Sequence, residues 1–299
     1  MKALVISGGG SKGAFAGGVT QYLMEELKRD YQLFVGTSTG SLLVNHLALG
    51  KIDKIREVYT SVTNEDIFSR CPFLIRQKYG MQQIAIDHLN VIRNFLSGSK
   101  TFGESHNLLD LIKRTLTREE FLELRESAVD VLVTVSNLSL NQVEYKLLRE
   151  FDYEEFCEWI WISCNYTPFM SLVRKNGCEY ADGGLGCMVP IEEAVKRGAT
   201  EVDVVILQTE VTQFNRLPSK NAFSLLTNMF AFMLDRLENQ NIRIGKYAAN
   251  HSDALINFYY TPTVLTTNSL IFNKEKMTKW WESGYEFAKF KSQETSQLE

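Results

Sequence analysis

Six residues close to the start, Gly8-Gly9-Gly10-Ser11-Lys12-Gly13, limit what this chain can become more than any other stretch. They follow a short apolar run, and Ala3–Ser7 reads as a buried strand. They precede Ala14–Arg29, where Phe15, Val19, Tyr22, Leu23 and Leu27 fall near helical spacing and predict a helix. A glycine-rich loop between a strand and a helix exposes backbone N–H groups to negative charge. The spelling Gly8-x-Gly10-x-x-Gly13 matches a dinucleotide-binding fingerprint. That site also needs an acidic residue at the end of the second strand, about 20 residues further on. Here the second strand, Gln32–Val35, runs into Gly36-Thr37-Ser38-Thr39-Gly40, and Asp30 precedes it. Lys12 is followed by Gly13 and not by Ser or Thr, so the loop is not a Walker loop either. The loop is set up for some other anion.

Gly36-x-Ser38-x-Gly40 lies between a predicted strand and the predicted helix Ser41–Leu49. That is the context of a nucleophile elbow, in which a sharp turn pushes the serine hydroxyl outward. The flanking glycines keep side chains off the neighbouring strand and helix. The N–H of Thr39, at the start of the helix, would point toward the reacting centre. A chance match in a Gly/Ser-rich turn is the plainer reading of the five residues alone.

A nucleophilic serine needs a base, and the chain has four histidines, His46, His88, His106 and His251. His46 is eight residues past Ser38 on the same helix, roughly 12 Å along its axis, and cannot reach the hydroxyl by that route. His88 and His106 fall in a variable helical region. His251 follows the other candidates in the Ser–Asp–His chain order of α/β-hydrolases, although a histidine at a helix end is commonly a cap or surface residue. The second candidate is Asp182, ahead of Gly183 and Gly184 in "EYADGGLGCMVPI". A carboxylate within hydrogen-bond reach can take the serine proton, provided burial raises its pKa. Asp-Gly-Gly is also an ordinary turn.

Along the rest of the chain strands alternate with helices. Residues 51–125 read as mostly helical, with 70–103 a possible lid or insertion. Residues 129–140 and 142–148 read as a strand pair, Tyr153–Ile162 as a helix, and 171–181 as a hairpin turning at Asn176-Gly177. Then follow a helix at 191–197, a strand at 201–208, a long helix Ala222–Ala249, a strand Ala254–Tyr260 and a closing helix Lys274–Phe290. The order predicts an α/β fold, a three-layer α/β/α sandwich on a mainly parallel sheet. We read 1–299 as a single domain, with the motifs in about 2–208 and residues 209–299 completing it. A formal charge of −4 gives no reason to expect a nucleic-acid partner. Five cysteines without a CxxC pair read as reduced thiols, with no zinc site and no other metal. With neither a signal peptide nor an apolar run of membrane-spanning length, the expected location is cytoplasmic.

Three motifs now stand in one order: Gly8-Gly9-Gly10-Ser11-Lys12-Gly13, Gly36-Thr37-Ser38-Thr39-Gly40 and Asp182-Gly183-Gly184. Together they resemble the patatin-like phospholipase family, whose pattern is a glycine-rich loop with a basic residue, then GxSxG, then DG[AG]. "ISCNYTPFMSLVRKNGCEYADGGL" also resembles the family's segment around its catalytic aspartate, although Asn165 and Tyr166 stand where small residues are more usual. The resemblance covers roughly residues 2 to 208. It implies a catalytic dyad of Ser38 and Asp182 with no histidine, an oxyanion hole around Gly9 and Gly10, and no cofactor. Lys12 would orient the loop or add positive potential, unless it is a plain surface lysine.

The implied substrate is an acyl lipid or another carboxylic ester, cleaved in the manner of a phospholipase A or lysophospholipase. An acyltransferase or thioesterase with the same dyad, or a non-catalytic lipid-binding protein on the same fold, are the alternatives. Peripheral membrane contact has two candidate sources. Phe223, Leu226, Met229, Phe230, Met233 and Leu237 recur near helical spacing, although a helix covering the core is the simpler reading. Trp280-Trp281 could anchor at an interface, with at least one of the two packed inside.

Overall fold

A computed structural model describes residues 1–78, 81–211, 218–219 and 222–298. Ten strands carry the topology among these residues: β1 (Lys2–Ile6), β2 (Leu33–Thr37), β3 (Phe73–Lys78), β4 (Met81–Ile86), β5 (Asp130–Asn137), β6 (Gln142–Leu147), β7 (Val173–Lys175), β8 (Cys178–Asp182), β9 (Glu201–Ile206) and β10 (Leu255–Tyr260). The main sheet runs β10-β9-β1-β2-β5-β8-β7, with β6 also paired to β5. From β10 to β5 the pairs are parallel, and β6, β7 and β8 join antiparallel.

The strands are apolar on both faces because both are covered, as a parallel sheet requires. Leu4, Ile6, Phe34, Val131, Val133 and Val135 face one core, and Ala3, Val5, Leu33, Val35, Leu132 and Val204 alternate into the other. The first core is covered by α1 (Gly13–Glu25), α2 (Thr39–Ala48), α3 (Ile52–Ser61), α6 (His106–Thr115), α8 (Tyr153–Ser163) and α11 (Lys274–Leu298). The second lies under α9 (Ile191–Lys196) and α10 (Ala222–His251). Helices α4 (Asn64–Ile67), α5 (His88–Leu96) and α7 (Arg118–Glu126) complete the set. This is the mainly parallel α/β sandwich that the alternation predicts.

Two expectations need correcting and one needs detail. Residues 51–125 are mostly helical, as expected, but β3 and β4 also pair there as a separate antiparallel ribbon. Weak periodicity in 70–103 concealed two short strands. The first helix ends at Glu25 and not at Arg29, since Lys28 takes a left-handed conformation, φ 52°, incompatible with continuing the helix. The apolar stripe of α10 covers the core only in part, with the Phe230 ring against Tyr166. Leu226, Met229 and Met233 are all more than half exposed, while Ala231, Leu234 and Glu238 on the opposite face line a cavity. The Phe223 side chain lies outside the described residues.

Trp281 is buried where α11 crosses α1, its indole N–H donating to Gln21 Oε1 at 2.8 Å. A Cβ on Gly17 or Gly18 would strike Trp281, so these glycines set how closely the two helices approach. Trp280 is half-buried. Among the described residues, no helix is long and apolar enough to cross a membrane.

Candidate active site

Strand β2 ends at Thr37 and α2 begins at Thr39, which leaves Ser38 as the turn. Its φ of 52° and ψ of −119° are strained for a residue with a side chain, at a cost of about 1–3 kcal/mol. The surroundings hold it there. Ser38 N–H donates to Ser163 Oγ at 3.0 Å, and Ser41 Oγ meets Ser163 Oγ at 2.8 Å. The carbonyl of Gly36 accepts from Ser41 Oγ at 2.9 Å and from Thr134 Oγ1 at 3.1 Å. A Cβ on Gly36 would collide with the Gly40 backbone, and one on Gly40 with the Ile6 carbonyl. Only glycine fits at either place.

Register explains how a residue far along the chain reaches this turn. One edge of β5 is taken by β6 over Leu132–Asn137. Both β2 and β8 must therefore lie along the other edge. Thr37, the last residue of β2, pairs with Thr134, and Asp182, the last residue of β8, pairs with Val135. The two strands run in opposite directions and meet end to end along β5. Ser38 Oγ donates to Asp182 Oδ2 at 2.7 Å.

Asp182 is 2% exposed. Its Oδ1 accepts from Gly184 N–H at 2.7 Å, and its own N–H donates to the Asn165 carbonyl at 2.9 Å. Burial pushes its carboxyl up to about 7, although the hydrogen bonds from Ser38 and Gly184 favour the charged form. A carboxylate in that range is matched to taking a proton near neutral pH.

The glycine loop lies beside this pair. A Cβ on Gly8 would stand 3.3 Å from Ser38 Cβ. Gly8 N–H donates to the Met188 carbonyl, Ser11 N–H to Ser269 and Lys12 N–H to Gly9. The N–H groups of Gly9, Gly10 and Thr39 donate to none of the described residues. Gly10 has φ 55°, and a Cβ on it would run into the Ser269 carbonyl. Gly13 opens α1 against Thr39 and Tyr59. Tyr59 joins the two segments, as its hydroxyl donates to the Gly10 carbonyl and meets Thr39 Oγ1. Lys12 is not a surface lysine. Its ammonium donates to the Leu207 carbonyl at 2.5 Å, just past β9, and burial lowers its pKa against the pull of Glu238 and Asp235.

None of the four histidines hydrogen-bonds Ser38. His46 is buried on α2, with Nε2 3.1 Å from the Thr115 carbonyl, and burial lowers its pKa. His88, His106 and His251 are exposed. Asn165 is fully buried and accepts from Ser105 Oγ, and Tyr166 lines the cavity and stacks on Phe169.

A cavity of about 400 Å³ opens at Ser38, along the carboxyl ends of the parallel strands. Toward α2, α3 and α6 it is apolar, lined by Leu42, Ile55, Val58, Leu108 and Ile112, with His46 and Thr115 among them. Toward β9, β10 and α10 it is mixed, and here the polar side chains Lys12, Gln208, Thr209, Asp235, Glu238 and Thr261 stand among Leu207, Ala231, Leu234 and Val264. Ser163, Ser41, Tyr59 and Glu238 escape a sequence reading. Ser163 alone carries a signal, being part of the segment "ISCNYTPF" that precedes Asp182.

A sequence model described as patatin-like phospholipase matches residues 4–195. Among solved structures, the crystal structure of VipD from Legionella pneumophila is similar, with a TM-score of 0.52 at 14% identity. The likeness covers 96% of this chain and 66% of that one, and at this identity it speaks to the fold. This chain thus spans slightly less than two thirds of VipD. No curated protein matches the sequence.

Proposed function

The chain belongs to the patatin-like phospholipase family, and with it to lipid acyl hydrolases in general; from that premise we propose that Ser38 and Asp182 form its catalytic dyad. The observation that carries the reading is the 2.7 Å hydrogen bond from Ser38 Oγ to a buried carboxylate. Asp182 takes the serine proton as Oγ attacks the ester carbonyl. The N–H groups of Gly9, Gly10 and Thr39 supply the oxyanion hole, which suits their lack of acceptors among the described residues. The protonated Asp182 then gives its proton to the departing alcohol. In the second half-reaction Asp182 activates water against the acyl-enzyme, and the acid leaves.

The division of the cavity supports an assignment of its two ends. The acyl chain enters the apolar end beside Leu42 and Ile112, and the leaving group occupies the mixed end beside Lys12. Lys12 acts on the loop, because its ammonium is tied to Leu207. The substrate is a glycerolipid or lysolipid ester.

The test is labelling with a fluorophosphonate followed by peptide mass analysis, alongside release of fatty acid from a panel of phospholipids and lysophospholipids. A covalent adduct on Ser38 and release of free acid are expected. An unlabelled but folded protein would overturn the dyad. Acyl transfer to added alcohol in place of free acid would turn the reading into an acyltransferase.

A further inference from the structure

One group at the mixed end of the cavity has no task in ester cleavage. Glu238, on α10, is 3% exposed and lines the cavity. Neither of its carboxylate oxygens accepts a hydrogen bond among the described residues, and Oε1 is fully buried. Such a group is costly to bury, and it persists where something brings it a partner. Lys12 acts on it only through space, since its ammonium donates to the Leu207 carbonyl and makes no ion pair with Glu238. Asp235, one turn earlier on α10, lines the same end and accepts from Gln208 Nε2 at 3.4 Å. Burial raises the Glu238 carboxyl to about 8, with Lys12 pulling the other way, so near neutral pH it is largely protonated and ionises as a cation is brought beside it.

We infer that Glu238 is the receptor for a positive charge on the leaving group, so that this site selects ester lipids whose headgroup carries an ammonium. The inference rests on the proposed reading of Ser38 and of the two cavity ends. Two features favour an ammonium over a neutral polyol. A cation restores to a buried carboxylate the charge compensation that it lost with water, which a hydroxyl does only in part. The wall also offers both signs, Lys12 and Glu238, which matches a zwitterionic phosphodiester with its phosphate nearer the reacting ester and its ammonium beyond.

The test uses Ser38→Ala protein, so that binding is read without turnover. Its ligands are two non-cleavable single-chain ether lipids of equal length, one with a phosphoethanolamine and one with a phosphoglycerol headgroup, each below its micelle threshold. Calorimetry is expected to give at least about tenfold tighter binding of the phosphoethanolamine lipid, the effect of one charge-assisted hydrogen bond. Adding Glu238→Gln should remove that preference. Equal binding of the two lipids by Ser38→Ala protein would overturn the inference, whatever the fate of the second variant. So would a preference that survives Glu238→Gln. In the otherwise unaltered enzyme, the ratio of kcat/KM for the matching lysophospholipids should fall about tenfold in Glu238→Gln, carried mainly by KM. A uniform fall on both substrates would make Glu238 a support for Lys12 and overturn the inference. Absence of turnover in the wild type together with a preserved binding preference would instead sink the hydrolase reading.

Discussion

The Tyr59 hydroxyl donates to the Gly10 carbonyl at 2.6 Å, and through Thr39 the same hydroxyl reaches the helix behind Ser38. One side chain thus fixes the glycine loop against the elbow. Tyr59→Phe keeps the ring and frees the loop. Turnover is expected to fall about tenfold with little change in KM, alongside a loss of stability of about 1 kcal/mol. Steady-state kinetics and thermal melts check this, and an unchanged kcat would show that the loop holds its position without Tyr59.

Ser38→Ala and Asp182→Asn should each abolish ester hydrolysis, by at least about a thousandfold, since each removes a member of one proton-transfer unit. His251→Ala should retain activity, because His251 is exposed at the end of α10. An inactive but folded His251→Ala would return the base to a histidine.

Gly10→Ala should lower kcat more than it raises KM. The new methyl group would meet the Ser269 carbonyl in a backbone conformation, φ 55°, that disfavours a side chain. Loop displacement removes contacts made in the transition state and leaves the acyl-chain contacts in place.

With burial holding Asp182 at about 7, the base form appears as pH rises through that value. The pH profile of kcat/KM is expected to climb through about 7 and level off above it. A limb near 4 would mean that the carboxyl is not the buried base.

The same shift has a thermodynamic sign. Between the usual 3.8 and about 7 the folded protein holds the Asp182 proton that the unfolded chain has released. Its contribution to stability therefore declines as pH rises across that window and is flat above it. Asp182→Asn should raise stability relative to wild type more at pH 8 than at pH 4, by on the order of a few kcal/mol. Denaturant melts at the two pH values measure it, and a larger gain at pH 4 would reverse the argument.

Much of the fold is legible because its signals are local. The stretches 3–6 in β1 and 204–206 in β9 are unbroken apolar runs, and Asn176-Gly177 marks its own hairpin. The ribbon of Phe73–Lys78 with Met81–Ile86 leaves no clear signal in the sequence, because neither strand alternates cleanly. The apolar spacing in α10 marks a helix but not its environment, since periodicity reports a face and not what the face meets.

The candidate site divides in the same way. Ser38, Asp182 and the glycines are visible because their neighbours leave a spelling behind. Their 2.7 Å separation is not, because it follows from the register of β2 and β8 on β5. Tyr59 and Glu238 carry no motif. Tyr59 shares a helical face with Ile52 and Ile55, and the sequence cannot tell the hydrogen-bonding member of that face from the packing ones.

The abutment of β2 and β8 on a shared edge has a consequence for how such a protein can change. The distance from nucleophile to base is written into backbone pairing at Thr134 and Val135, both buried. Chain inserted between Leu49 and Asp130, where the separate ribbon already hangs, leaves those pairings intact. New loops there can remodel the mouth and the reach of the cavity while the reacting atoms keep their spacing. The sheet acts as a fixed gauge, and specificity can drift around it.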